Sequence, residues 1–484
     1  MFDPAITMKE RLASFFMGRV YPLLVCLLAA LGFILGTEVY FIPVIVILAC
    51  LSFWVCNSIK PLAVPLCTFI YSLSNGNSLF GSENPDFYIS GWRLVAMIIL
   101  GAVVAVSLGA FMVRNGFFSK LRHMRTPLLA PLLLLSVTFL LNGVGSDTWV
   151  VTDLLYGFFQ VISFLFVFVL FYHGFSDDET PEQLGKYFAY MSMLMSLVLI
   201  AELIFVYATT PDIIVDGVIN RNLIVFGWGV CNNAGVYLAM LIPMNFYGAY
   251  TSRCPAWYFT VATATYVASV FTVSRNALVF GTFIYVLSLV TLCVFGKRRS
   301  FFRTCVGILV LTAVVIGTVY YDVLSTALED YYNRGLEGGD RYEVWLDGLK
   351  NFLKAPLFGT GFHGFPEFGS QKADFIPQMA HNTVVQLLSG MGIAGLLAYS
   401  YYRIRTVVLF FRRPSIMKTM LGYAALVLLL ESLLDNFIFH IHPVFYYSIA
   451  MAIVVRATDS ERLWRQKKLK ISNPTHKRER SGQN

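Results

Sequence analysis

Charge is scarce in this chain. Asp, Glu, Lys and Arg together make up 13% of its 484 residues, against about 25% in an ordinary soluble domain. That leaves too little polar surface to keep a globule of this length in water, and 57% of the residues are hydrophobic. Any cysteine pairing pattern is missing too. The cysteines at 26, 50, 56, 67, 231, 254, 293 and 305 all fall in or beside apolar stretches, and none forms a CxxC pair. This excludes a zinc knuckle or an extracellular disulfide framework and leaves them as small apolar filler. No internal repeat stands out, and no cleavable leader; the first apolar stretch is followed at once by others and reads as a retained span.

What is present is a succession of apolar runs, most of them long enough to cross a bilayer as a helix of about 17–22 residues, with the 61–74 run short and proline-flanked. The runs fall at 20–36, 40–56, 61–74, 92–113, 127–142, 150–172, 186–208, 230–250, 256–273, 276–295, 302–320, 384–402, 418–436 and 443–456. The expected fold is therefore all-α, a polytopic membrane protein with about 12–14 transmembrane helices and one large extracytoplasmic loop containing short helices. The parts are a bundle over 1–320, the loop over 321–383, further spans over 384–456 and a basic disordered cytoplasmic tail over 457–484. With the N-terminus in the cytoplasm, 28 of the 36 basic residues face inward, in segments such as "RNGFFSKLRHMR" and "RIRTVVLFFRRPSIMK". The positive-inside rule demands that asymmetry. The net charge of +8 follows from topology rather than from nucleic acid, and "RQKKLKISNPTHKRER" reads as a lipid-facing tail.

Eight basic residues escape to the outside: Arg93, Arg221, Arg275, Arg334, Arg341, Lys350, Lys354 and Lys372. Arg275, in "ASVFTVSRNALVFG", lies at a tight junction between two spans, where a charge is costly unless it faces the protein interior or a wet cavity. Arg221 precedes "GWGVCNNAGVYLAM", whose glycines and Asn232–Asn233 pair permit turns at membrane depth where they line a cavity. In the large loop, "GGDRYEVWLDGLKNFLKAP" predicts a helix, with Asp340 as N-cap, Glu343 three residues on and Pro356 as its stop. Trp345, Leu346, Leu349, Phe352 and Leu353 share one face of it. Arg341 in its first turn opposes the helix dipole, which an anion shared with the free N–H groups would explain. "PLFGTGFHGFPEFG" follows as a shaped loop that is able to wrap a ligand, with His363 inside it. His381 then stands before Asn382 and Gln386 at the mouth of a span.

The succession "GGDRYEVWLDGLKNFLKAPLFGTGFHGF" then "AHNTVVQLLSGMGIAGLL" resembles the signature domain of the O-antigen ligase and polymerase superfamily of membrane glycosyltransferases. "TVSRNALVFG" is similar to that family's Ser-Arg segment, and "RNLIVFGWGVCNNAGVYLA" to its Arg…Gly…Asn segment, apart from Cys231 before Asn232. The likeness covers roughly residues 215–402. It implies an enzyme of the bacterial cytoplasmic membrane, both termini inside and active site outside, that takes an oligosaccharide from undecaprenyl diphosphate. It implies inversion at the anomeric carbon, no metal and no further cofactor. Partners would be the lipid-linked donor, a glycan or lipid-linked acceptor, membrane lipids and possible chain-length regulator and flippase proteins, but no nucleic acid.

The expected roles follow the chemistry. Negative charge grows on the departing diphosphate, which arginine holds bidentately, so Arg275 and Arg341 are assigned to it with Arg221 as a weaker third contact. His381 is assigned as general base or acceptor-positioning group, since imidazole alone titrates near neutrality without perturbation. Asn233, Asn382, His363 and Trp345 complete the expected substrate contacts, while His440 and His442 read as interfacial residues. A polysaccharide polymerase is favoured, with a ligase acting on lipid A-core as the alternative. A transporter or flippase of lipid-linked sugars is the competing class; it would show repeated halves and polar residues at mid-span, which this chain does not.

Overall fold

The structure is a computed structural model that describes residues 7–68, 91–215, 218–226, 229–321, 325, 339–363 and 380–472. It is all-α apart from two two-stranded antiparallel ladders, β1 (Ile214–Val215) with β2 (Val218–Ile219) and β3 (Val225–Phe226) with β4 (Gly229–Val230). The helices in chain order are α1 (Met8–Met17), α2 (Val20–Leu35), α3 (Glu38–Val55), α4 (Gly91–Arg114), α5 (Phe117–Arg122) and α6 (Leu129–Leu140). Next come α7 (Val151–Gly174, with a π-turn at Ile162–Phe166), α8 (Pro181–Thr209), α9 (Cys231–Thr251), α10 (Pro255–Phe271), α11 (Arg275–Phe295) and α12 (Arg299–Val319). The last four are α13 (Gly339–Lys354), α14 (Thr383–Phe411), α15 (Ile416–Leu434) and α16 (Ile441–Ser472).

Among the described residues, eight helices are long and apolar enough to cross a membrane, or nine if α1 and α2, bent by 62° at their junction, count as one span. Fourteen apolar runs were expected, and the difference has physical causes. Helix α6, within the 127–142 run, has 12 residues, short of the ~20 that a 30 Å crossing needs. Helix α9, at 230–250, is long enough but carries asparagines, glycines and a proline. It spends them on packing instead, buried from Ala234 to Ala249 against α8, α10, α11 and α15. Small residues let the backbones approach, and Asn245 donates to Ser196 Oγ (2.8 Å) and Thr265 Oγ1 (3.2 Å) as interhelical glue. The 61–74 run begins with a 3₁₀ turn at Lys60–Leu62, and its residues past 68 lie outside the described ones. Helices α4 and α12, hydrophobic all round, stay on the periphery with 11% and 6% of their apolar windows buried.

Two other boundaries differ from the sequence reading. The 384–402 run meets its first arginine at Arg403, yet α14 continues to Phe411. Arg403 sits inside it, its guanidinium 4.8 Å, 5.8 Å and 5.2 Å from the ring centres of Tyr399, Tyr402 and Tyr447. Three aromatic faces stabilise a cation at a depth where a solvated one is expensive. The tail expected to be disordered from 457 is helical through Ser472, as the last turns of α16; residues 473–484 lie outside the described ones, as do Arg334, Lys372 and Gly227.

Candidate functional site at the carboxyl end of α15

Helix α14 begins at Asn382, whose side-chain oxygen accepts from the backbone N–H of Val384 (2.9 Å) and Val385 (3.1 Å). An asparagine cap of this kind satisfies orphan donors of the first turn. The Asn382 amide nitrogen donates to the carbonyl of Leu433 (3.0 Å), tying this helix start to the carboxyl end of α15. His381 therefore arrives beside Asp435, and its Nδ1 lies 3.0 Å from Asp435 Oδ1. The histidine side chain is 46% exposed and the aspartate 9%, so one ring edge meets the carboxylate while the imidazole stays open to solvent. His381 has φ +51°, the left-handed region that a non-glycine residue adopts only when its surroundings hold it there.

Those surroundings are visible. Gln386, fully buried one turn into α14, accepts through Oε1 from the Ala380 N–H (2.7 Å) and from Asn436 Nδ2 (2.9 Å). One carboxamide oxygen thus joins the residue before His381 to the residue after Asp435. Trp345 donates its indole N–H to the Ala380 carbonyl (3.0 Å) from α13. From the first turn of α13, Arg341 donates to the Leu434 carbonyl (2.9 Å). A cation there complements the carboxyl end of α15. This gives Arg341 a structural partner besides the anion expected from sequence. The predicted loop helix is present, with Asp340 inside it rather than capping it, since α13 starts at Gly339. Its Leu346, Leu349 and Leu353 are exposed, while Val344 and Trp345 pack beside Ala380 and Val385.

The other predicted residues divide into two groups. Arg221 lies on a 3₁₀ turn between the two ladders and Asn233 in the first turn of α9. The Cys231 thiol is within electrostatic range of both Arg221 and Asp435. Arg275 opens α11 after its Ser274 cap, and that turn packs against α9: a Cβ on Gly235 would lie 2.6 Å from Ala277 Cβ and 2.9 Å from Thr272 Oγ1. Arg341, Asn382 and His381 thus bond to residues 433–435 and Trp345 to Ala380, whereas Arg275 opens a turn packed on the start of α9, the helix that carries Asn233.

His363 belongs to a second centre. Its backbone N–H and Nδ1 both reach Asp153 Oδ1, at 2.8 Å and 2.9 Å. Asp153, fully buried in the first turn of α7, also accepts from Val150 N–H through Oδ2 (3.1 Å). The glycine-rich loop leading to His363 packs by backbone hydrogen bonds against α14. Thr360 N–H donates to Ser389 O (2.7 Å) and Gly361 N–H to Gly390 O (3.2 Å), while Ile393 N–H donates to Pro356 O (2.9 Å). These bonds are made where α14 is broken at Gly392, φ +64°. The stretch after His363, residues 364–379, lies outside the described ones.

Asp435, Gln386 and Asp153 carry the geometry without having been singled out as partners. For Asp435 a signal existed: it is an acid directly at the end of a span, on the side where His381 was placed. Burial alone would raise its carboxyl. The His381 hydrogen bond, the charges of His381 and His440 and the Asn436 N–H outweigh that, and Asp435 is held below the ordinary carboxylate range. Burial pushes His440 down; Asp435 opposes and His381 reinforces the shift. The rings of His440 and His442 are 6.0 Å apart. Among the described residues, no group of three His, Cys, Asp or Glu stands where it would hold a metal ion.

An all-helical membrane protein with an Asp–His pair and an arginine at one helix end is the class these observations define. Residues 259–400 match the family model described as O-antigen ligase, a glycosyltransferase-like enzyme family, and over that segment the match supports the likeness to the O-antigen ligase/polymerase superfamily. The matched segment contains Arg275, Arg341, Trp345, His363, His381 and Asn382, whereas Asp435 lies beyond it. Comparison with curated proteins finds no match.

Proposed function

We propose that the protein transfers a glycan from an undecaprenyl-diphosphate carrier to a second glycan on the outer face of the bacterial cytoplasmic membrane. Polymerisation of O-antigen, capsular or exopolysaccharide repeat units is the favoured form, and attachment to lipid A-core the alternative. The observation that carries the reading is the His381–Asp435 pair at 3.0 Å, within a chain whose residues 259–400 match the O-antigen ligase family. An ionised Asp435 only accepts, so the proton on His381 sits at Nδ1 and the lone pair at Nε2. The acceptor hydroxyl gives its proton to Nε2 as its oxygen attacks the anomeric carbon. The bond from that carbon to the diphosphate oxygen breaks, and the electron pair leaves with the diphosphate. Displacement in one step inverts the centre. Arg341 and Arg275 stabilise the charge on the departing group, with Arg221 as a further contact, each worth about 3–4 kcal/mol by analogy with oxyanion-stabilising donors. Asn233, Asn382, His363 and Trp345 remain proposed substrate contacts.

The test is transfer by the purified protein from a lipid-diphosphate oligosaccharide. His381→Ala should abolish transfer while the protein inserts and unfolds at a near-normal temperature; undiminished turnover in that variant removes histidine from the mechanism. Products from glycan and lipid A-core acceptors separate polymerase from ligase: a ladder of repeat units marks the first, a single adduct the second. Turnover should survive EDTA, and loss restored by Mg²⁺ would argue for another enzyme class.

A further inference from the structure

The end of α15 remote from Asp435 has its own chemistry. The helix has 19 residues, so its two ends lie about 28 Å apart at 1.5 Å per residue. A cavity of about 780 Å³ opens there, walled by the starts of α8 and α15, the end of α9, the α11–α12 connection and α16. Lys297 and Arg413 line it. Among the described residues of the wall the one acid, Glu182, is 3.1 Å from Lys186 in an ion pair, so it does not cancel the charge of Lys297. The amino ends of two long helices face the same space through Thr180 and Ser415, adding partial positive charge.

A second concavity adjoins the first across the α14–α15 connection. Its volume is about 420 Å³ and its walls are mostly apolar, running from Pro414 past Phe410 and Val407 to Leu426 and Leu429 between α14 and α15, with Arg403, Thr406, Thr419 and Tyr423 as the polar lining. Pro414 stands between Arg413 and Ser415, so the basic chamber and the apolar groove share one connection. Val407 is 46% exposed and Phe411 81%, which opens the groove sideways to the hydrocarbon around the bundle.

We infer that this end of the bundle binds an anionic glycerophospholipid, its phosphate in the Lys297–Arg413 chamber and an acyl chain in the groove between α14 and α15. Charge complementarity selects the head and the apolar walls select the chain. A soluble phosphate compound would leave the groove unused, and a neutral lipid the cations. The inference is independent of the glycan-transfer reading, because it concerns the opposite end of α15 and is read by binding alone.

Full-length protein in detergent, titrated with phosphatidylglycerol or with phosphatidylcholine of identical chains and read by native mass spectrometry, tests it. The unmodified protein should retain phosphatidylglycerol preferentially. Lys297→Gln with Arg413→Gln should weaken that retention roughly 30-fold, and Val407→Trp, which fills the groove from an exposed position, should reduce retention of both lipids. If the double variant fails to fold, Lys297→Gln alone, at an exposed position, should still cost roughly 5-fold. Equal retention of the two lipids, or unchanged retention in the charge variants, overturns the assignment. So does displacement of phosphatidylglycerol by inorganic phosphate with Val407→Trp silent, which would make the chamber a site for a soluble anion, and so does stronger retention of a polyprenyl phosphate.

Discussion

His381 was conspicuous in the sequence because an imidazole stood where an apolar run begins, but its partner is 54 residues away. No local pattern links two residues at that separation; the link exists because Asn382 bonds Leu433 and Gln386 bonds Asn436. Asp435→Asn keeps a side chain of the same shape but removes the charge that orients the ring. Turnover should fall by roughly 10²–10⁴-fold with little change in KM, as expected when a base loses its orienting carboxylate. A parallel loss of donor affinity would make Asp435 a binding group instead. Gln386→Met leaves the Ala380 N–H and the Asn436 amide without their acceptor, at about 1–3 kcal/mol for each buried donor. A lower unfolding temperature and a drop in turnover should appear together, while Gln386→Glu, which retains an acceptor oxygen, should recover part of both.

The helix over 339–354 was readable from its turn signals and apolar stripe, to within two residues at its start. The glycine-rich loop was not readable as what it is. Its sequence marks a shaped turn, but the bonds that dock it on α14 include backbone-to-backbone ones, from Thr360 and Gly361 to Ser389 and Gly390, and such bonds leave no trace in side-chain identity. A Cβ on Gly361 would sit 2.5 Å from Asp153 Oδ2, in a residue with φ +88°. At Gly392 a Cβ would run into the Leu357 carbonyl. Gly392→Ala should therefore push the loop away from α14 and disturb the helix start that carries His381. The expected result is reduced expression and a lowered unfolding temperature, with residual turnover falling further than stability alone explains. Unfolding followed in detergent beside single-turnover transfer separates the two effects.

For the whole molecule, two of the titratable groups at the site, Asp435 and His440, act in the same direction. Asp435 is depressed, so its contribution is present above the unfolded carboxylate value near ~3.9 and fades as pH drops through the lower folded value. His440 is depressed as well; below ~6.5 the unfolded chain binds the proton first, so stability declines from there downward. The unfolding temperature should thus fall in two stages on acidification from pH 7.5, one beginning near ~6.5 and one below ~4. Asp435→Asn should erase the second stage and leave the first. A flat profile between pH 7.5 and 5 would mean that His440 has the same proton affinity folded and unfolded.

Sequence by itself settled the all-helical membrane class, since few charges and recurrent apolar runs permit no other way to satisfy the backbone. It also singled out His381, Arg341 and Asn382, because polar groups at span ends are few and each has a chemical reason to be there. Tertiary structure decided that α6 is too short and α9 too polar for a simple span count, that Arg403 is enclosed by tyrosines, and that His363 pairs with Asp153 while His381 pairs with Asp435. The reason is one of range. Hydrophobic periodicity reports a residue's relation to solvent and to its neighbours along the chain, whereas a hydrogen bond between two helix ends depends on how separate elements pack.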